Sequence, residues 1–257
     1  MKNQLKVIFT VILSVSMSLT AGGQAKVYTR KVLMEDFHIK TAKMLINPNS
    51  TLDLALKTEI TSRWRVSPYE FCTREEYAAI SQDNSFYCMR IASDQGVEFL
   101  VLEKCGKEKD PDTFKRSFEV VRIPLSAEDS PNGNEIFLLG AYVDFIQSFA
   151  EEAMVSDRVG YTGLANYRFR SLKGKTIYMN EDDIPDILEQ GKEDALLAVC
   201  VAPVQAGPKT RCYKMLISAD THELFYYSSD KYKGDKNKFF SEKEIKEFEL
   251  RNAVIIR

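Results

Sequence analysis

Apolar positions change their spacing several times along this chain, and each change marks an element. Val32, Leu33, Met34, Phe37 and Ile39 form a dense cluster that predicts an opening strand over 27–39, broken by Asn47-Pro48-Asn49-Ser50. Leu52, Leu54, Ala55, Leu56, Ile60 and Trp64 then recur mostly three and four residues apart, which predicts a helix capped by Ser50 or Thr51 with one face on a sheet. Tyr69, Phe71 and Cys72 suit a short strand. Thr73, with Glu75 and Glu76 behind it, opens a short helix that sets Tyr77 and Ile80 inward. Two strands, Ser85 to Ala92 and Val97 to Cys105, flank a turn at Ser93-Asp94-Gln95-Gly96.

After a charged stretch with Gly106 and Pro111, which reads as a linker over 106–116, the order recurs. Phe118 to Leu125 reads as an opening strand, and Glu135 to Met154 as a longer and more apolar helix. Asp157 to Gly174 reads as a loop. Lys175 to Asn180 is a strand, Glu181-Asp182-Asp183 open a short helix, and Ala195 to Val204 and Arg211 to Ala219 are strands. Asp220-Thr221-His222-Glu223 is a turn into Leu224 to Ser228. Ser241 with Glu244 matches a capping box for a terminal helix over 242–251, anchored by Ile245, Phe248 and Leu250. The predicted fold is therefore α/β in the broad α+β sense. It has two similar sub-domains of order β-α-β-α-β-β, over 26–105 and 117–230, each a mixed sheet with helices on it, and a C-terminal extension over 231–257 with its helix. The recurrence is one of element order; its best local echo is Tyr87-Cys88-Met89-Arg90-Ile91-Ala92 against Val199-Cys200-Val201-Ala202.

Residues 1–25 have a different character. Lys2 and Lys6 precede an apolar run from Val7 to Leu19, and Gly23-Gln24-Ala25 places small residues where a signal peptidase reads, so the expected mature start is Lys26. The run is short for a hydrocarbon core, which takes about 20 apolar residues. The expectation is an exported protein, periplasmic or secreted, with no membrane span after cleavage. No cysteine lies near the cleavage site to carry a lipid.

Charge narrows the partners. Lys and Arg total 35 against 37 Asp and Glu, interspersed, with no basic block of the kind that phosphate backbones require, so nucleic acid is not an expected partner. Five cysteines in an exported chain allow disulfides but leave at least one thiol unpaired in a monomer. Cys200 and Cys212 flank a segment with Pro203, Gly207 and Pro208; if it turns back on itself the two could pair across a hairpin, and otherwise they are small buried side chains.

In element order and a few local features the first half resembles the anticodon-binding-domain-like modules of bacterial envelope proteins. These include the N-terminal domain of the Tol-system propeller protein and the curli secretion-channel lipoprotein family. Leu52 to Trp64, Tyr69 to Cys72, Thr73 to Ile80 and Phe86 to Ile91 look like the first four parts of that pattern. Ala219 to Leu224 looks like its closing turn, with His222 where glycine is usual. The resemblance implies the fold and carries no functional residue.

The chemistry is sparse. Hydrolase elbow, zincin, P-loop and dinucleotide fingerprints are missing, and His38 and His222 are the two histidines. Glu181, Asp182, Asp183 and Asp186 carry oxygens that suit a hard cation but lack a calcium loop's glycine and terminal glutamate; acids at a helix N-terminus explain three of them. Asp220, His222 and Glu223 are neighbours at a turn. No metal or cofactor is expected. The most distinctive surface candidate is Arg158, Tyr161, Tyr167, Arg168, Phe169 and Arg170, aromatics and arginines on a glycine-containing insertion, as partner surfaces are built; the same rings also suit packing over the end of the long helix. The function expected is a non-catalytic binding or assembly module contacting another envelope protein or a cell-wall component. The rival is a hydrolase of an envelope or dietary polymer, using paired carboxylates. A self-assembling homo-oligomer is a third reading.

Overall fold

The computed structural model describes residues 34–106 and 118–257, so the expected signal segment and nearly all of the expected linker lie outside the described residues. Two mixed sheets of five strands organise the chain. The first contains β1 (Ala42–Leu45), β2 (Tyr69–Cys72), β3 (Tyr87–Asp94), β4 (Val97–Lys104) and β5 (Phe118–Ala127), in spatial order β2-β1-β3-β4-β5. The second contains β6 (Thr176–Tyr178), β7 (Ala195–Val201), β8 (Arg211–Ser218), β9 (Leu224–Lys231) and β10 (Val254–Ile256), in order β10-β6-β7-β8-β9. Read in those orders, both sheets have two parallel junctions followed by two antiparallel ones. The recurrence of elements thus becomes a recurrence of sheet pattern.

Three details of the sheets and their lead-in differ from expectation. Residues 34–40 form a turn, which sets Met34 and Phe37 three residues apart into the core; the first described strand starts at Ala42. Phe118–Ala127, expected to open the second unit, hydrogen-bonds antiparallel to β4 and completes the first sheet, because a three-stranded meander buries its apolar alternation at once. The parallel edge of the second sheet is filled from the far end of the chain by β10, which pairs with β6.

Local signals place the helices. Ser50 caps α1 (Thr51–Arg63) by accepting from Asp53 N–H at 3.2 Å. Thr73 and Glu76 form a complete capping box for α2 (Arg74–Ile80), whose Tyr77 and Ile80 are half-buried. The β3–β4 hairpin turns on Gln95 and Gly96, both at positive φ, as a two-residue hairpin loop requires.

The long helix α3 (Asn134–Val155) is buried on consecutive residues from Leu138 to Val143, the mark of a helix enclosed on all sides. Its core cluster draws Phe37, Trp64 and Tyr87 from the first sheet's side, and Val199, Met215 and Ile217 from the second. Gly140 lets α1 lie close: a Cβ there would meet Arg63 Nε and Glu59 Oε2 at 2.8 Å. A separate cluster covers the second sheet's other face, where Tyr226, Phe240 and Phe248 meet beneath α6 (Glu242–Leu250) with ring centroids 5.2–6.0 Å apart. The expected loop after α3 is helical instead: α4 (Asp157–Thr162) continues into a 3-10 helix, Gly163–Phe169, and the short helix expected after β6 is α5 (Ile184–Gln190). Among the described residues no helix is long and apolar enough to cross a membrane.

Candidate functional site

Each sheet opens a hollow beyond the carboxyl ends of its parallel strands, where ligands of open α/β sheets commonly sit. β1 runs into Asn47, whose side chain accepts from Asn49 N–H at 3.1 Å. β6 runs into Asn180, whose side chain accepts from Asp182 N–H at 3.3 Å. The first hollow, 680 Å³, is polar: Ser50, Asp53, Arg74, Glu75 and Glu98 are among its walls. The second is a 320 Å³ cleft between the end of β5, the start of α3 and the end of β7.

Glu181 organises the cleft. Its carboxylate accepts from Cys200 N–H on β7 at 3.3 Å and from the Asn132 amide at 3.0 Å, while its carbonyl accepts from the Asn134 amide at 3.0 Å. One side chain therefore ties the second sheet to the loop that precedes α3. Burial pushes its carboxyl above the ordinary glutamate value against those hydrogen bonds and the Lys238 charge. Glu135, 5% exposed, accepts from Gly133 N–H at 3.0 Å. Phe239 and Val204 leave apolar surface at the rim, 56% and 55% exposed. Phe239, Glu181 and Cys200 also border a neighbouring 270 Å³ hollow under Phe240.

The insertion after α3 uses its described side chains differently. Tyr167 is buried, its ring 5.4 Å from Phe145 and its hydroxyl 3.4 Å from Glu152. Arg170 lies over that ring at 4.9 Å and pairs with Glu223 at 3.1 Å. Arg158 is exposed. The side chains of Tyr161, Arg168 and Phe169 lie outside the described ones. The hollow beside Tyr167 and Arg170 measures 20 Å³, about the room of one water.

Cys200 and Cys212 are both free. They lie diagonally on adjacent strands, Cys200 opposite Lys214, but in separate surroundings: Cys212 packs with Ala202 and Tyr232, and Cys200 beside Phe240. Burial raises all five thiols, Cys105 and Cys200 to about 12, which keeps them protonated and poorly nucleophilic at neutral pH. The turn acids diverge: Glu223 goes to Arg170, while His222, at φ 57° where glycine is usual, turns its Nδ1 to Asp144 at 2.7 Å. Among the described residues no group of His, Cys, Asp and Glu is arranged to hold a metal ion.

Glu135, Asn132 and Phe239 are the cleft residues that sequence reasoning passed over. The available signal was the pair Phe239-Phe240 standing in the lysine-rich stretch after Asp230. The chain matches no family model, no curated protein and no solved structure.

Proposed function

We propose that this chain is an exported, non-catalytic binding protein that seats a cell-wall component, by its peptide part, in the cleft between β5, α3 and β7. The observation that carries the reading is the construction of that cleft. Glu181 is held by donors from two separate parts of the fold, so its carboxylate is preorganised, and an apolar rim at Phe239 and Val204 borders it. A concave site with a few fixed polar groups and apolar walls is how ligand pockets are generally made. The export-type segment at 1–25 and the resemblance to envelope modules support the compartment. The buried, protonated thiols and the engagement of His222 by Asp144 weigh against a cysteine hydrolase.

The test is co-sedimentation of the chain from Lys26 to Arg257 with purified cell-wall sacculi. Pelleting that is saturable, and reduced at least tenfold by Phe239→Ala or Asn132→Ala, is the expected result. Pelleting unaffected by either substitution overturns the assignment to this cleft. Time-dependent release of soluble fragments would instead establish the hydrolase reading, for which the raised Glu181 carboxyl near Glu135 is the favouring feature.

A further inference from the structure

Asn132, at the cleft, is followed by Gly133, and this is the only Asn-Gly pair in the sequence. In such a pair the glycine nitrogen can attack the asparagine side-chain carbon and close a five-membered ring, because no β-carbon on the second residue stands in the way. The site is open. Asn132 is exposed, Gly133 sits at φ 90°, and a Cβ placed on Gly133 would meet nothing within 4 Å.

Each atom that takes part in that attack already has a hydrogen-bond partner of the right kind. Gly133 N–H, the nucleophile, donates to Glu135 Oε2 at 3.0 Å, so a carboxylate stands where the proton must go. Asn134 N–H donates to Asn132 Oδ1 at 3.1 Å, on the oxygen where negative charge develops as the carbon becomes tetrahedral. The leaving nitrogen, Asn132 Nδ2, lies 3.0 Å from Glu181 Oε2. Burial holds the Glu181 carboxyl above its ordinary value, which favours the protonated form that can give up a proton. Base, oxyanion donor and acid thus surround one side chain.

We propose that Asn132-Gly133 is a self-modification site at which the fold converts Asn132 to aspartate and isoaspartate, with Glu135 as base, Asn134 N–H as oxyanion donor and Glu181 as acid. Glu135 takes the Gly133 N–H proton as the bond from Gly133 N to Asn132 Cγ forms. Glu181 protonates Nδ2, the Cγ–Nδ2 bond breaks, and ammonia leaves. Water then opens the cyclic imide at either carbonyl, and the two carboxyls return to their starting protonation through solvent. No oxidant, metal or cofactor is needed. The product replaces the amide that donates to Glu181 by a carboxylate, so Glu181 keeps its Cys200 N–H donor and loses its tie to the loop before α3.

The test follows the proteolytic peptide that carries residue 132 by mass spectrometry, in the freshly purified chain from Lys26 to Arg257 held at neutral pH and in the same chain unfolded in guanidinium chloride. The expected result is an amide-to-acid mass change at residue 132, as a mixture of aspartate and isoaspartate, about tenfold faster in the native chain than in the unfolded one. Glu135→Gln keeps an oxygen to accept from Gly133 N–H and should preserve the melting temperature while slowing the native reaction about tenfold. Glu181→Gln should slow it as well. A native rate at or below the unfolded rate means that the fold protects Asn132, and overturns the inference. A native rate unchanged in both glutamine variants makes the dipeptide alone responsible, and the assigned roles fall. The mass readout involves no ligand, so its failure is separate from a failure of the binding reading.

Discussion

The two hollows stand at equivalent ends of two sheets with one neighbour pattern, yet their polar groups are spent differently. In the first, Ser50 caps α1 and Asp53 accepts from Asn47 N–H at 3.2 Å, so much of the polar lining holds the local backbone together. In the second, Glu181 joins distant segments, accepting from Asn132 and from Cys200 N–H. A repeated architecture supplies the place for a site. The proposed site differs from the first hollow in that its central carboxylate bridges distant segments instead of closing a local turn.

The sharpest way to break the comparison is through the cores behind the hollows. Trp64→Ala should cost about 3–5 kcal/mol, because the indole is buried against Phe37 in the cluster that both sheets share and donates to Ser67 carbonyl at 3.1 Å. Phe248→Ala removes a similar mass from the cluster of the second sheet alone, so amide exchange should rise in α6 and β10 while β3 and β4 stay protected. Equal loss of protection in both sheets would show one cooperative unit and dissolve the distinction.

Asp144 tests how the layers are tied. It accepts from Arg63 and meets His222 Nδ1, both at 2.7 Å, linking α1, α3 and the β8–β9 turn. Asp144→Asn should cost about 1–2 kcal/mol near neutral pH. Against the opposing effect of burial, its His222 and Arg63 contacts hold the Asp144 carboxyl below its ordinary 3.8. Its contribution is therefore complete above that value and is lost as pH falls through the lower folded value. Urea melts across the acid range should show a shallower acid decline for the variant.

Glu181 should behave with the opposite sign. Its folded value lies above the ordinary 4.5, so the fold is favoured where the group is protonated and loses that advantage as pH rises through the raised value. Glu181→Gln is expected to raise the urea midpoint at pH 7 relative to the parent, with less gain at pH 4, while weakening ligand binding. Glu98 in the first hollow is also raised, by burial and then, against a Ser126 hydrogen bond, by Glu128, Glu135 and Asp53. Glu98→Gln should show the same pH trend without touching sacculus pelleting. A matching loss of binding would make the two hollows one site.

The smallest effect expected is at a cap. Ser241 and Glu244 form a complete capping box, and Glu244 also holds Lys214 at 2.7 Å. Ser241→Ala should cost about 1 kcal/mol in thermal melts. It should leave the first hollow unaffected.

Legibility followed the range of the interactions. The caps at Ser50, Thr73 and Ser241 and the Gln95-Gly96 hairpin were readable because each is decided within a few residues of chain. The helical run over 157–169 was not, since Gly160, Gly163 and Gly174 made 157–174 read as loop while packing of Tyr167 on Phe145 favours helix there. The candidate surface on that insertion came from residue type, which does not say which side of the backbone faces solvent. The cleft was missed because Glu135, Glu181, Cys200 and Phe239 come from four separated segments.

By itself, then, the sequence determined the α/β class, most helices and strands and their capping, because periodicity and end signals are local. Tertiary structure alone decided that β5 closes the first sheet, that β10 closes the second, and that Glu135, Glu181 and Phe239 line one cleft. Strand pairing and the meeting of side chains from distant segments depend on chain-wide packing, and no local pattern records which partner will arrive.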